Sequence, residues 1–100
     1  MSRYIVYITP RALREMKDLP GNIRQRVKHA VDDFAENPRP SDSKPLQSSE
    51  VEVELLRLRI DKWRIVYAIS ETEETIDVLA VRKRPPYDYG DLEKLLSEIE

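Results

Sequence analysis

One hundred residues, 40% of them hydrophobic and with a net charge of −2, make one small domain with a modest core. Cysteine is absent, which excludes disulfides and thiolate metal sites and fits a reducing cytosol. No apolar run approaches the roughly 18–20 residues of a membrane span, and the opening Met-Ser-Arg-Tyr-Ile-Val-Tyr-Ile is too short and aromatic for a signal peptide, so a cytoplasmic chain is expected.

Tyr4 to Ile8 is apolar on both parities and predicts a strand covered on both faces. Thr9-Pro10 then starts a helix, Thr as N-cap and Pro at the first helical position. Ala12, Leu13, Met16 and Leu19 recur at helical spacing up to the Pro20-Gly21 break. Asn22 is placed to cap a second helix with Ile23, Val27, Ala30, Val31 and Phe34 on one stripe, ending at Asn37-Pro38. His29, the only histidine, lies off that stripe and is expected at the surface.

Residues 37–49 read as a loop, with prolines and serines interleaved. Val51 to Ile60 and Trp63 to Ser70 predict two strands about a tight Asp61-Lys62 turn, and Ile76 to Arg82 a third, expected to be central. Leu92, Leu95, Leu96 and Ile99 mark a short C-terminal helix. The order β-α-α-β-β-β-α predicts an α+β fold over residues 1–100, a helical hairpin packed on a mainly antiparallel four-stranded sheet.

Parity around the turn locates the chemistry. If Asp61-Lys62 is the whole loop, Ile60 pairs with Trp63, Arg59 with Arg64 and Arg57 with Val66. Leu56, Leu58, Ile60, Trp63, Ile65, Tyr67 and Ile69 then form the core face, and Arg57, Arg59 and Arg64 share the opposite one. Arg82-Lys83-Arg84 ends the adjoining strand, before Tyr87 and Tyr89. Arginine suits bidentate contact with phosphate oxygens, so an RNA phosphate is the leading ligand, with a solvated arginine face as the plain alternative. The acidic balance, 17 Lys and Arg against 19 Asp and Glu, implies weak free-solution affinity for RNA, so that either local charge must do the work or a partner must deliver the substrate.

At these residues the chain resembles the RelE/ParE superfamily of bacterial toxins. The short first strand, the hairpin broken at Leu19-Pro20, the Leu-Arg-x-x-x-x-Arg-aliphatic-Val-Tyr run, the basic strand end, the closing tyrosines and the terminal helix match in order. The resemblance implies a RelE-like toxin of a toxin–antitoxin pair, an mRNA interferase that enters the ribosomal A site and cuts mRNA. It carries catalytic roles to Arg57, Arg64, Arg84 and Tyr89, with Arg59, Lys62, Arg82, Lys83 and Tyr87 as RNA contacts. Leu55 stands where RelE keeps a second lysine, and no late histidine is present.

The implied reaction is attack of a ribose 2′-OH on the adjacent phosphate, without metal or other cofactor. Arg64 and Arg84 would stabilise the pentavalent phosphate while Arg57 and Arg59 hold the flanking backbone. Arginine is a poor base, which leaves a tyrosine as acid or stacking platform, Tyr89 as base if the nearby arginines activate it, and Glu54 as an outside candidate for base. Glu50, Glu52 and Glu54 otherwise read as a solvated edge. The expected partners are a cognate antitoxin, the ribosome and mRNA, with a toxin–antitoxin heterotetramer possible by the family's habit and no membrane contact. Two alternatives stand beside this: a ParE-like poison of DNA gyrase without nuclease activity, and a member that only binds its antitoxin.

Overall fold

The Asp61-Lys62 pair closes a two-residue hairpin between β3 (Glu54–Ile60) and β4 (Trp63–Ser70) in the register that side-chain parity predicts, Ile60 opposite Trp63 and Arg59 opposite Arg64. Asp61 supplies the left-handed residue with φ of 56°, a conformation Asp tolerates better than most residues because its short side chain can bond locally. The computed structural model describes residues 3–46, 53–85 and 87–99. The expected strand start at Val51 and Glu52, and Glu50, lie outside them.

The remaining elements are β1 (Ile5–Ile8), α1 (Pro10–Lys17), α2 (Gly21–Asp33), β2 (Ser43–Pro45), β5 (Thr75–Lys83) and α3 (Leu92–Leu96). They build a five-stranded sheet in the order β1-β5-β4-β3-β2, parallel only between β1 and β5. The α+β class is as expected, with one strand more. β2 is three residues long and ends in proline, too short to stand out from its loop. The central strand is β4, with β5 one place out.

Two expectations are corrected. β1 is an edge strand, not covered on both faces: Ile5 is 58% and Tyr7 52% exposed, because no element lies beyond them among the described residues. Asn22 does not cap the second helix. Pro20, in extended conformation, occupies the cap position and accepts the Arg24 N–H at 2.8 Å, leaving Asn22 exposed in the first turn. Thr9 does cap α1, its hydroxyl accepting the Ala12 N–H at 3.2 Å.

One face of the sheet carries the main core, where Ile23, Val27, Val31 and Phe34 of α2 meet Leu58, Ile65, Tyr67 and Val78. Phe34 stacks on Tyr67 with centroids 4.1 Å apart, and the Tyr67 hydroxyl donates to the Pro38 carbonyl at 2.8 Å. Burial pushes the Tyr67 phenol up to about 12. The other face carries a second cluster, Leu55, Val66, Ala68, Leu79 and Ala80, sealed by Leu95 of α3 with Leu92, Leu96 and Ile99. Among the described residues no helix is long and apolar enough to cross a membrane. His29 is exposed, as expected.

Candidate active site

The arginines lie at the open end of that second face. Arg57 pairs with Val66, and Arg59 with Arg64, which in turn pairs with Arg82 of β5, so three guanidinium-bearing positions run side by side across three strands. Like charges opposed in a sheet cost roughly 0.2–1 kcal/mol per pair. A bulge makes the third possible. Val66 pairs with Ala80 but Tyr67 with Val78, so Leu79 is an extra residue in β5. Without it Val81 would face Arg64; the insertion flips the parity of everything after it.

The same flip separates Lys83 from the arginines. Lys83 pairs with Trp63 and shares the face of the helical hairpin, contrary to its expected place beside Arg82 and Arg84. Lys44 of β2 was missed: it pairs with Arg57 and adds a cation to the row, but three strand residues among prolines give too little periodicity to reveal it. Glu54 pairs with Ile69, on the face opposite Arg57, and its carboxylate is held by Arg39 at 2.6 Å, so it is not placed to act as a base. Leu55 is 2% exposed beneath the C-terminal segment, which explains an apolar residue at that position.

Arg82 is fully engaged. Its Nε donates to Glu15 of α1 at 2.7 Å and its Nη1 to Asp91, while Glu15 also accepts the Val81 N–H at 3.0 Å on the stretch of β5 beyond the end of β1. Burial alone would lower the Arg82 pKa, yet the two carboxylates outweigh it and hold the guanidinium charge more firmly than usual. Asp91 is likewise held below the ordinary carboxylate value, burial being outweighed by hydrogen bonds from Arg82 and Tyr87. Arg82 is thus bound within the protein rather than offered to RNA, because acidic partners from α1 and the C-terminal segment converge on it.

Arg57, Arg59, Arg64 and Arg84 form no ion pair among the described residues. Arg64 donates through Nη1 to the Asp61 and Trp63 carbonyls at 3.2 and 3.1 Å, which turns the guanidinium back on the hairpin, and its Nε is buried without a partner among the described residues. Arg57 reaches the Asp42 carbonyl at 3.4 Å. Arg84 follows β5, fixed by its N–H to the Lys62 carbonyl at 2.8 Å, and lies over the Tyr89 ring at 5.3 Å. Lys62 sits exposed in the turn beneath it.

The two tyrosines are unlike. Tyr87 donates its hydroxyl to Asp91 at 2.7 Å and stacks under Arg82 at 4.8 Å. Burial, then Asp91, drives its phenol pKa far above the ordinary value, so it stays protonated and cannot serve as a base. Tyr89 meets the Tyr87 ring edge-on at 4.9 Å, and its buried hydroxyl has no partner among the described residues. Its backbone has φ of 64°, a strained conformation for a bulky residue that costs of order 1–3 kcal/mol. Buried polar groups are nearly always hydrogen-bonded, so Arg64 Nε and the Tyr89 hydroxyl are exceptions among the described residues.

On the far side of β5 a cavity of about 640 Å³ is lined by Glu15, Leu19, Trp63, Lys83, Tyr87 and Asp88, among others. Its charged lining residues are Glu15, Asp18, Asp88 and Asp91 against Arg82 and Lys83, and none of Arg57, Arg59, Arg64 or Arg84 borders it. Among the described residues no cluster of three His, Asp or Glu side chains has metal-ligand geometry.

The sequence profile of the family described as ParE toxin of type II toxin-antitoxin system, parDE, matches residues 6–85. The chain belongs to this toxin family. A protein bearing the RelE1 toxin name from Methanocaldococcus jannaschii is 26% identical over 82 residues, covering 82% of this chain and 91% of the relative. The toxin also resembles the archaeal RelE-RelB complex of Pyrococcus horikoshii in fold, with a TM-score of 0.75 at 22% identity over 85% of this chain and 99% of that one. The RelBE2 toxin-antitoxin complex of Mycobacterium tuberculosis matches with a TM-score of 0.67 at 26% identity over 82% of this chain and 99% of that one. The family resemblance carried by the residues is therefore borne out.

Proposed function

We propose that this toxin is a ribosome-dependent endoribonuclease that cuts mRNA in the A site by attack of a ribose 2′-OH on the adjacent phosphate. The observation that carries the proposal is the pair of buried donors, Arg64 Nε and the Tyr89 hydroxyl, that have no partner among the described residues, on a face where Arg57, Arg59, Arg64 and Arg84, unlike Arg82, also lack carboxylate partners among those residues. Arg64 and Arg84 stabilise the charge that grows on the phosphorane, and Arg57 and Arg59 hold the flanking phosphates. Tyr89, with its hydroxyl uncommitted, donates the proton to the leaving 5′ oxygen, whereas the Tyr87 hydroxyl is committed to Asp91. The ribosome supplies alignment of the 2′-OH, which guanidinium groups do not provide, and the 2′-OH proton leaves to solvent water.

Inducing the wild type and Arg64→Ala in a bacterium and mapping mRNA ends tests this. Ribosome-phased ends are expected with the wild type and should be lost in the variant. Full phased cleavage by Arg64→Ala would sink the assignment. The family profile's ParE description favours one second function, inhibition of DNA gyrase. Growth arrest with intact mRNA and an induced DNA-damage response would select it.

A further inference from the structure

Tyr89 is strained in its backbone and its hydroxyl has no partner among the described residues, so other contacts must fix it. The contacts around it lead to one side chain. Asp91 takes the Tyr87 hydroxyl on Oδ1 and Arg82 on Oδ2, so one carboxylate ties the residue two before Tyr89 to the end of β5. Asp91 itself lies two residues after Tyr89, and its carbonyl accepts the Leu95 N–H at 3.0 Å, joining the same point to α3. Both flanks of Tyr89 are therefore pinned through one residue. From there Tyr87 presents its ring against Tyr89, and Arg84 stacks on the Tyr89 ring. The chain of contacts runs Glu15, Arg82, Asp91, Tyr87, Tyr89, Arg84, from the first helix to the phosphate face.

We infer that Asp91 is a positioning residue: it never touches RNA, but through Tyr87 and Arg82 it sets the placement of Tyr89 and of the Arg84 guanidinium stacked on it. Its effect on rate rests on the nuclease function proposed above; its effect on the placement of Tyr89 does not. Displacing a reacting group by about 1 Å can cost on the order of 10²-fold in rate, so loosening Tyr89 should act on turnover rather than on ribosome binding. Asp91→Asn preserves shape and removes the carboxylate charge that Arg82 and Tyr87 share, leaving Arg57, Arg59, Arg64 and Arg84 in place.

The test uses the full chain labelled with 3-fluorotyrosine, the Tyr89 ¹⁹F resonance being assigned from Tyr89→Phe. In Asp91→Asn that resonance should shift and broaden while those of Tyr4 and Tyr67, at the far end of the sheet and in the main core, stay in place. In ribosomes programmed with mRNA, kcat should fall about 10- to 100-fold with the half-saturating ribosome concentration unchanged. Tyr87→Phe, which breaks the same link from the other side, should move the Tyr89 resonance likewise, and Asp91→Glu should restore part of kcat. An unmoved Tyr89 resonance in both Asp91→Asn and Tyr87→Phe overturns the inference, as does a shifted resonance with wild-type kcat. If the wild type cuts no RNA at all, the nuclease function fails, and the resonance alone then decides whether Asp91 positions Tyr89.

Discussion

Two arginine–tyrosine stacks stand side by side at the end of β5, and they have opposite fates. Arg82 lies over Tyr87 and Arg84 over Tyr89, each pair five residues apart in sequence and about 5 Å apart in space. In the first, every strong group is answered: Arg82 by Glu15 and Asp91, the Tyr87 hydroxyl by Asp91. In the second, Arg84 has no ion pair and the Tyr89 hydroxyl no partner among the described residues. Stacking alone is worth about the same in both, on the order of 0.5–2 kcal/mol. The difference teaches that satisfaction of the polar atoms, rather than residue type, separates a scaffold from a working pair.

The largest effect expected from breaking the comparison lies on the unsatisfied side. Arg64→Ala should lower mRNA cleavage about 10²- to 10³-fold, as for removal of one preorganised donor to transition-state charge, with little change in the melting temperature. Single-turnover cleavage on programmed ribosomes measures the first and a thermal melt the second. Tyr89→Phe should cost about 10²-fold in the same assay while leaving stability equal or raised, because it deletes a buried hydroxyl that has no partner among the described residues. A loss of stability in Tyr89→Phe would show that the hydroxyl is bonded after all.

On the satisfied side the balance should reverse. Tyr87→Phe removes a hydrogen bond to a carboxylate and should destabilise by about 1–3 kcal/mol in urea titration, with a smaller rate loss, about tenfold, through Tyr89. The same corner should be acid-sensitive. Because Asp91 is held below the ordinary aspartate value of about 3.9, its contribution is complete above that pH and is lost as the pH falls through the lower folded value. Near-UV circular dichroism of the tyrosines should thus hold steady down to about pH 4 and decline below it, and Asp91→Asn should remove that step.

The smallest effect is a contrast away from the site. Asp77, half-buried on the same face as the arginines, has a raised pKa through burial and then the nearby Glu73. Its charge opposes folding at neutral pH, and stability from this group declines as pH rises through the unfolded value toward the folded one. Asp77→Asn should raise the melting temperature at pH 7 by a few degrees at most and leave it unchanged near pH 3. Cleavage should not move.

The β3–β4 hairpin and its arginine face were legible in the sequence because strand parity is strict: with Asp61-Lys62 as the loop, only one register buries Leu58, Ile65 and Tyr67 together. The Thr9 cap was legible for a similar reason, since a hydroxyl before Pro10 has one local use. Family membership followed from the order of such pieces. By contrast, the run through β5 is apolar on both parities, so it contains no information on register, and the Leu79 bulge that puts Arg82 beside Arg64 and Lys83 on the opposite face could not be read from it. Nor could the sequence distinguish Arg82 from Arg84 or Tyr87 from Tyr89. That distinction is made by Glu15, 67 residues away along the chain from Arg82, and by Asp91 folding back on the strand end. Local pattern determined which residues share a face. Only long-range packing decided which of their charges are already spent, because a partner's distance in space is not written in its distance along the chain.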